Sequence, residues 1–514
     1  MYINSTIGYK RFLAIVEDDL YIDKSMIIEN LNKRVNKSRR WVCITRPRRF
    51  GKSVMTTLIE SYYSKAIDSK EVFDNFKIAS CKSYEKHLNM YNVIKIDFSS
   101  LDTRKLTFDE YLDVIELEIG KQLDDIFPTD KVLQATNLSS KLTATGKEFI
   151  FIFDEWDFIF NQNIYTDNHE DFLNYLRVLL KDREYVALCY MTGILPIKKY
   201  STGSALNMFE EYTFLNDVIF GEFFGFTEDE VKSLCGIEYE KIAEWYNGYI
   251  TQKGIKLFNP RSVKIAIEDN YCQSYWTNTG EMNEVANYLR LDCCGVREDV
   301  IKMLDGKAID ISITEDFRAG SPTPSSKQEI YSAMVTLGFL SYSEYKLRIP
   351  NKELMIEFEK AIKHEDFGEL ATVIKNADNM LYATLERDTA KMAEIVHDIH
   401  NLEIPVLKYN DENSLSCVLT LAYLSARDRY RIEREEKSGK GYVDFVFHPR
   451  NSIDLPIIVE LKKDKSTEVA LEQIVEREYV AKFQNLYKRN VLIVGINYDM
   501  ISKEHSCDMI EVRC

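Results

Sequence analysis

Short apolar runs alternate with longer amphipathic stretches through the first half of the chain. Trp41–Thr45 predicts a strand, followed by a turn and a helical pattern from Lys52 to about Lys65. Val93–Phe98 predicts a second strand and Val186–Met191 a fourth. Between them, Phe149–Phe153 is nearly all Phe and Ile and predicts a strand buried on both faces. Continuous apolar strands separated by helices imply a parallel sheet covered on both sides. That is the pattern of an α/β nucleotide-binding domain.

From about Phe226 the pattern changes. Thr227-Glu-Asp-Glu-Val231 predicts a helix start with a cap and an acidic first turn, and the stretch to about Leu381 is mostly helical in pattern. Ser321-Pro-Thr-Pro-Ser325 is a turn-rich break. A helix over Glu329–Leu337, two short strands at Phe339–Tyr342 and Lys346–Ile349, and a further helix after Pro350-Asn351 predict either a winged-helix-like module or a helical linker with one hairpin. The last third opens with helices near Met392–Ile399 and Leu415–Ala426. It turns to strand, turn, strand and helix from Tyr430 to Leu486, and closes on a buried strand at Val491–Ile496.

With 514 residues, a domain size of about 100–200 residues allows roughly three domains. The changes in pattern place them at 1–225, 226–390 and 391–514. A 45% hydrophobic and 12% aromatic composition excludes a disordered chain. Lys and Arg total 66 against 82 Asp and Glu, a net charge of −16. That excludes a generally basic coat protein but leaves room for a local basic stripe. The ten cysteines include no C-x-x-C pair, and the adjacent Cys293 and Cys294 suit no ordinary disulfide, so all ten are expected as thiols in a reducing compartment. His397 and His400 form an i,i+3 pair, either a helical metal clip or two polar residues on an acidic helix. Met1–Lys10 lacks the apolar run of a signal peptide, and Phe149–Phe153 is too short to span a membrane. A cytoplasmic protein with no membrane contact is expected.

Arg46-Pro-Arg-Arg-Phe-Gly51-Lys52-Ser53 sits between a predicted strand and a predicted helix. A phosphate loop needs backbone N–H groups and a helix N-terminus aimed at the phosphates, a Lys for the β- and γ-phosphates, and a hydroxyl for Mg²⁺. Gly51, Lys52 and Ser53 fit those roles, with Arg46 in place of the first glycine of the usual pattern. The expected nucleotide-binding set runs from Arg46, Pro47, Arg48, Arg49 and Phe50 through Gly51, Lys52, Ser53 and Val54. The third strand ends in Asp154-Glu155-Trp-Asp157. An Asp there holds the water shell of Mg²⁺ and the neighbouring Glu155 can polarise the attacking water. Thr192, ending the fourth strand, either senses the γ-phosphate or caps the strand.

These residues resemble the AAA-ATPase-like family of bacterial and mobile-element-associated proteins. Further matches follow in the family's order: Thr192-Gly-Ile-Leu-Pro-Ile197, Gly221-Glu-Phe-Phe-Gly-Phe-Thr227, Trp245-Tyr-Asn-Gly-Tyr249 and Phe258-Asn-Pro260. The resemblance covers roughly residues 5–285. It implies an ASCE-type P-loop ATPase, and it implies that Arg46 is how this family writes its phosphate loop. Asn247 stands where the family has Asp.

Near the C-terminus, Asp444 lies in Tyr442-Val-Asp-Phe-Val-Phe447, and Ile457-Ile-Val-Glu460-Leu-Lys462 follows. Glu460 and Lys462 share one face of a strand. An Asp, a Glu and a Lys converging across a hairpin can bind Mg²⁺ and activate a water. The alternative is a charged hairpin edge. The spacing resembles the PD-(D/E)XK nuclease superfamily, with its restriction-endonuclease-like α/β fold. Gln473, Tyr479, Gly439 and Gly441 match the domain that usually follows this ATPase. The resemblance implies a further upstream acid, Glu412 or Glu435, with Glu412 preferred because it begins a helix.

A basic stretch, Lys33, Arg34, Lys37, Arg39 and Arg40, either tracks a nucleic-acid backbone or is a solvated helix end. The expected function is ATP-dependent handling of DNA or another nucleic acid with Mg²⁺-assisted phosphodiester hydrolysis. The alternative is a nucleotide-operated switch whose nuclease-like domain only binds. The sequence leaves the oligomeric state open.

Overall fold

The computed structural model describes residues 1–200, 205–234, 236–276, 295–304, 306–313, 326–363, 369–401, 412–438, 441–476 and 479–513. The chain divides into two compact units, Met1–Asn278 with Asp310–Leu354, and Thr279–Ile309 with Met355–Cys514.

The first unit is built on β1 (Tyr2–Ile3), α1 (Ile7–Val16), β2 (Trp41–Thr45), α2 (Lys52–Tyr63), β3 (Asn92–Asp97), α3 (Phe108–Ile126), β4 (Phe149–Asp154), α4 (His169–Leu180), β5 (Val186–Gly193) and β6 (Glu210–Tyr212). The sheet order is β1-β3-β4-β5-β2-β6. All neighbours are parallel except β1, which pairs antiparallel with β3 at the edge. The predicted strands are therefore all present, and β4 is buried along its whole length. Its phenylalanines Phe149, Phe151 and Phe153 pack on Ile115, Ile119 and Leu123 of α3 and on Phe172 and Leu176 of α4. The Phe-Ile-Phe-Ile-Phe run is thus buried on both faces: Phe meets α3 and α4, and Ile faces the other layer. The sheet order has a direct consequence for chemistry. β5 separates β2, which feeds the phosphate loop, from β4, which ends in the acids.

The expected helical stretch after Phe226 is interrupted. β7 (Phe226–Thr227), β8 (Tyr249–Ile250) and β9 (Lys256–Phe258) form a small sheet of order β7-β9-β8, and α5 (Tyr239–Tyr246) and α6 (Pro260–Glu268) pack around it. Strands of two or three residues are too short to register as periodicity. Thr227 closes β7, and the helix begins one residue later, as Glu228–Leu234. Helix α7 (Lys327–Thr336) and the antiparallel pair β10 (Ser341–Ser343) and β11 (Lys346–Arg348) complete this unit. Residues 321–325 lie outside the described residues.

In the second unit, α8 (Thr389–His400) and α9 (Glu412–Ala422) precede a five-stranded sheet. Its strands are β12 (Tyr430–Ser438), β13 (Gly441–Pro449), β14 (Ile457–Lys463), β15 (Val491–Tyr498) and β16 (His505–Val512), paired in that order. The β14–β15 pair is parallel and is bridged by α10 (Thr467–Glu476) and α11 (Tyr479–Tyr487); the other pairs are antiparallel. Val446, Ile458, Ile474, Phe483 and Ile493 form the core under these helices. The helix expected over Leu415–Ala426 stops at Ala422 and continues as a 3-10 turn, Leu424–Asp428. Among the described residues, no cysteine forms a disulfide, and no helix is long and apolar enough to cross a membrane.

Candidate functional sites

Helix α2 starts directly from the loop after β2. Its N-cap is Gly51 at φ 88°, a left-handed conformation that only glycine adopts freely. The free N–H groups of the first turn thus face the loop's opening. Lys52 is buried, and its Nζ donates to the carbonyls of Arg46 and Pro47 at 2.9 and 3.0 Å. Burial pulls the Lys52 ammonium down to about 8, against the opposing pull of Asp157, Asp154 and Glu155. Ser53 and Val54 are exposed at the head of the helix.

Asp154 ends β4 in register with Asp97 at the end of β3. Its carboxylate accepts from Thr56 Oγ1 at 3.3 Å, so the first turns of α2 touch the acidic strand end. Burial and the charge of Asp97 raise the Asp154 carboxyl, with Lys95, Ser53 and Lys52 pulling it back. Glu155 is raised mainly by burial, and Asp154 and Asp97 add to this. Asp97 and Asp154 at adjacent strand ends, with the Thr56 hydroxyl, are hard-oxygen donors of the kind that Mg²⁺ takes together with water. Sequence reasoning did not single out Asp97, Ser99 or Thr56. Asp97 Oδ1 accepts from the Ser99 hydroxyl at 2.7 Å. The Asp-Phe-Ser that ends the second predicted strand was the available signal.

Other residues of the expected nucleotide set are committed to the interior. Arg46 is 1% exposed, pairs with Asp217, donates to the Tyr212 carbonyl at 2.9 Å and lies over the Phe224 ring. Its backbone N–H donates to the Gly193 carbonyl. Phe50 packs edge-on against Tyr249 and Phe214 at 5.0 and 5.6 Å. Arg49, at φ 68°, donates to the carbonyls of Tyr275 and Trp276 and lies over the Trp276 ring. A Cβ on Gly338 would come within 2.7 Å of Pro47. Arg48 is half-buried. The loop is therefore gripped from outside as well as from its own helix. Thr192 Oγ1 donates to the Ile44 carbonyl at 2.9 Å, the geometry of a strand-end tie. Asp157, fully buried, accepts from the N–H groups of Ile194 and Leu195 at 2.9 Å and so fixes the Gly193–Leu195 turn.

In the second unit, Asp444 on β13 and Glu460 on β14 are neighbours across the hairpin. Asp444 Oδ2 accepts from the Leu461 N–H at 2.7 Å, and Lys462 Nζ donates to Glu460 Oε1 at 2.7 Å. Glu460 is 3% exposed, and burial first, then the Asp444 charge, raises its carboxyl. The three predicted residues thus converge, again as hard-oxygen donors with a cation at hand. Among the described residues, no three His, Cys, Asp or Glu side chains stand close enough to hold a metal alone. Mg²⁺ commonly completes such a set with water and substrate phosphate. Glu412 begins α9 and Glu435 lies in β12, and the side chains of both fall outside the described residues, as do those of Gln473 and Tyr479. Gly441 opens β13, and residue 439 is also outside them.

The basic stretch before β2 is largely spent inside the first unit. Arg34 donates to the Tyr212 hydroxyl at 2.8 Å, Arg39 pairs with Glu210, and Arg40 lies over the Trp41 ring. His397 and His400 meet a third histidine, His505 of β16, with His400 Nδ1 at 3.0 Å from His505 Nε2.

Residues 6–202 match the family model described as predicted AAA-ATPase, and residues 410–505 match that of the PD-(D/E)XK nuclease superfamily. The chain thus carries an AAA-ATPase-like domain followed by a PD-(D/E)XK nuclease-like domain. Among solved structures it is similar to the Walker-type ATPase PABY2304 of Pyrococcus abyssi, at a TM-score of 0.33 and 11% identity over 65% of this chain and 94% of that one. No curated protein matches the chain.

Proposed function

We propose that this is a cytoplasmic, ATP-hydrolysing protein in which an ASCE-type ATPase domain is coupled to a Mg²⁺-dependent nuclease-like domain acting on nucleic acid. The observation that carries the ATPase half is the 3.3 Å contact of Thr56 Oγ1, in the first turns of the phosphate-loop helix, with Asp154 on a strand far along the chain. The intervening β5 between β2 and β4 supports the ASCE assignment. Helix α7 with the β10–β11 hairpin supports the winged-helix-like reading of the middle region, within boundaries of 1–225, 226–390 and 391–514.

Lys52 would leave the loop carbonyls and bind the β- and γ-phosphates, aided by the N–H groups of the α2 first turn. Ser53 and Asp154 would hold Mg²⁺, and Glu155 would orient the attacking water. Mg²⁺, when bound, neutralises charge on the transferring phosphoryl group. In the second site Asp444 and Glu460 would hold Mg²⁺, and Lys462, already within the site, would stabilise the hydroxide or the developing phosphate charge. Glu412 would supply the remaining acid.

Metal-dependent cleavage tests both halves. Plasmid and single-stranded DNA are incubated with Mg²⁺ or Mn²⁺, with and without ATP, alongside Lys462→Ala and Lys52→Ala. Cleavage abolished by Lys462→Ala is the expected result, and the ATP lanes report coupling. Lys52-dependent ATP hydrolysis without any cleavage would instead favour a nucleotide-operated switch whose nuclease-like domain is a binding platform.

A further inference from the structure

The first unit buries an ion pair that none of the roles above uses. Lys95 on β3 and Glu60 on α2 stand 3.2 Å apart and are 6% and 1% exposed. The Tyr2 hydroxyl donates to the same Glu60 oxygen at 3.3 Å, and Glu60 Oε1 has no hydrogen-bond partner. Gly8 of α1 lies directly on the carboxylate, where a Cβ would come within 2.0 Å of an oxygen. The N-terminal segment therefore seals the pair from water.

Stability does not account for such a pair. Desolvating two charges costs as much as their attraction returns, and an apolar pair of the same shape serves the fold as well. Its place in the sheet does account for it. Lys95 and Asp97 share one face of β3. The in-register β4 turns Ile152 and Asp154 to that same face. On α2, Ser53, Thr56 and Glu60 fall at i, i+3 and i+7, one stripe of the helix. The upper part of that stripe touches Asp154 and the lower part holds Lys95. Two carboxylates, Asp97 and Asp154, thus stand at adjacent strand ends, with the buried Lys95 on the same face of the sheet and the buried Lys52 on the loop side of Asp154.

We propose that Lys95 is a positioning residue of the nucleotide site: anchored by Glu60 on the phosphate-loop helix, its ammonium is the countercharge that holds Asp154 beside Asp97 and Ser53. Lys95 acts through Asp154 and does not touch the nucleotide. The assignment rests on the ATPase reading of that site.

The test is the double variant Glu60→Gln/Lys95→Met, which removes both charges together and keeps an acceptor for Tyr2. Melting temperature, KM for ATP and kcat are measured beside wild type and Lys52→Ala. The melting temperature is expected to hold and KM to stay within about twofold, because binding to the loop is untouched. kcat is expected to fall by about tenfold or more, as misplacing one reacting group does. A double variant with wild-type kcat overturns the assignment and leaves the ATPase reading standing. So does one that melts early, since the pair is then structural. A wild-type protein without Lys52-dependent hydrolysis overturns both.

Discussion

Lys52 and Arg46 belong to one loop and do opposite work. Lys52 makes hydrogen bonds that a nucleotide can replace, whereas Arg46 is locked to Asp217 in a site closed to solvent. Lys52→Ala should lower ATP affinity by about ten- to a hundredfold, the value of one or two charge-assisted bonds, with the fold intact; a nucleotide titration measures it. Arg46→Ala should instead leave Asp217 buried and uncompensated, costing about 3–5 kcal/mol in a urea unfolding curve. Both were read from sequence as nucleotide-binding positions. The loop's place between strand and helix was legible, because it depends on local pattern, and so was the apolar strand that ends in Asp154. The fate of Arg46 was not legible, because its partner lies 171 residues away in a segment without a motif.

At the level of elements, long regular strands were readable and short ones were not. β4 announced itself by an unbroken apolar run, while β7, β8 and β9 are too brief for any period to show. Strand β16 was missed for another reason: only Cys507 in it is buried, so no apolar run marks it, and its pairing with β15 gives it away. That edge strand meets helix α8 through histidines. His505 is pulled down to about 3, first by burial and then by His400 and His397. Tyr498 lies against both His400 and His505. A folded value below the unfolded value of about 6.5 means that the stabilising effect is complete above pH 6.5 and is lost as pH falls. The second unit should therefore lose about 1 kcal/mol per pH unit on acidification below that point. Guanidinium unfolding at pH 7 and pH 5 measures the loss, and His505→Gln should flatten it.

For the molecule as a whole, the net charge of −16 gives no general attraction to nucleic acid. Much of the basic stretch before β2 is neutralised by Glu210 or packed on aromatic rings. The proposed binding of DNA would then come from a local contact. The logarithm of its affinity should fall linearly with the logarithm of salt, with a slope near −0.9 per phosphate contacted. Titration of duplex and single-stranded DNA at several salt concentrations gives that slope, and a salt-independent affinity would speak against phosphate contact. The order of the two domains along the chain was legible, since each is marked by a cluster of neighbouring motifs. The interleaving of the two units was not, because it is a property of distant contacts.

That interleaving bears on how the protein is made. Segments of the two units alternate along the chain, with residues 279–309 of the second lying between the two parts of the first. A nascent chain emerging from the ribosome presents the phosphate loop early. Yet the loop's Pro47 waits for Gly338, and the turn at Gly248, whose Cβ would meet the Pro350 carbonyl at 1.9 Å, waits for Pro350. The outer grip on the loop therefore forms only once Gly338 has been made, and the turn at Gly248 closes only after Pro350.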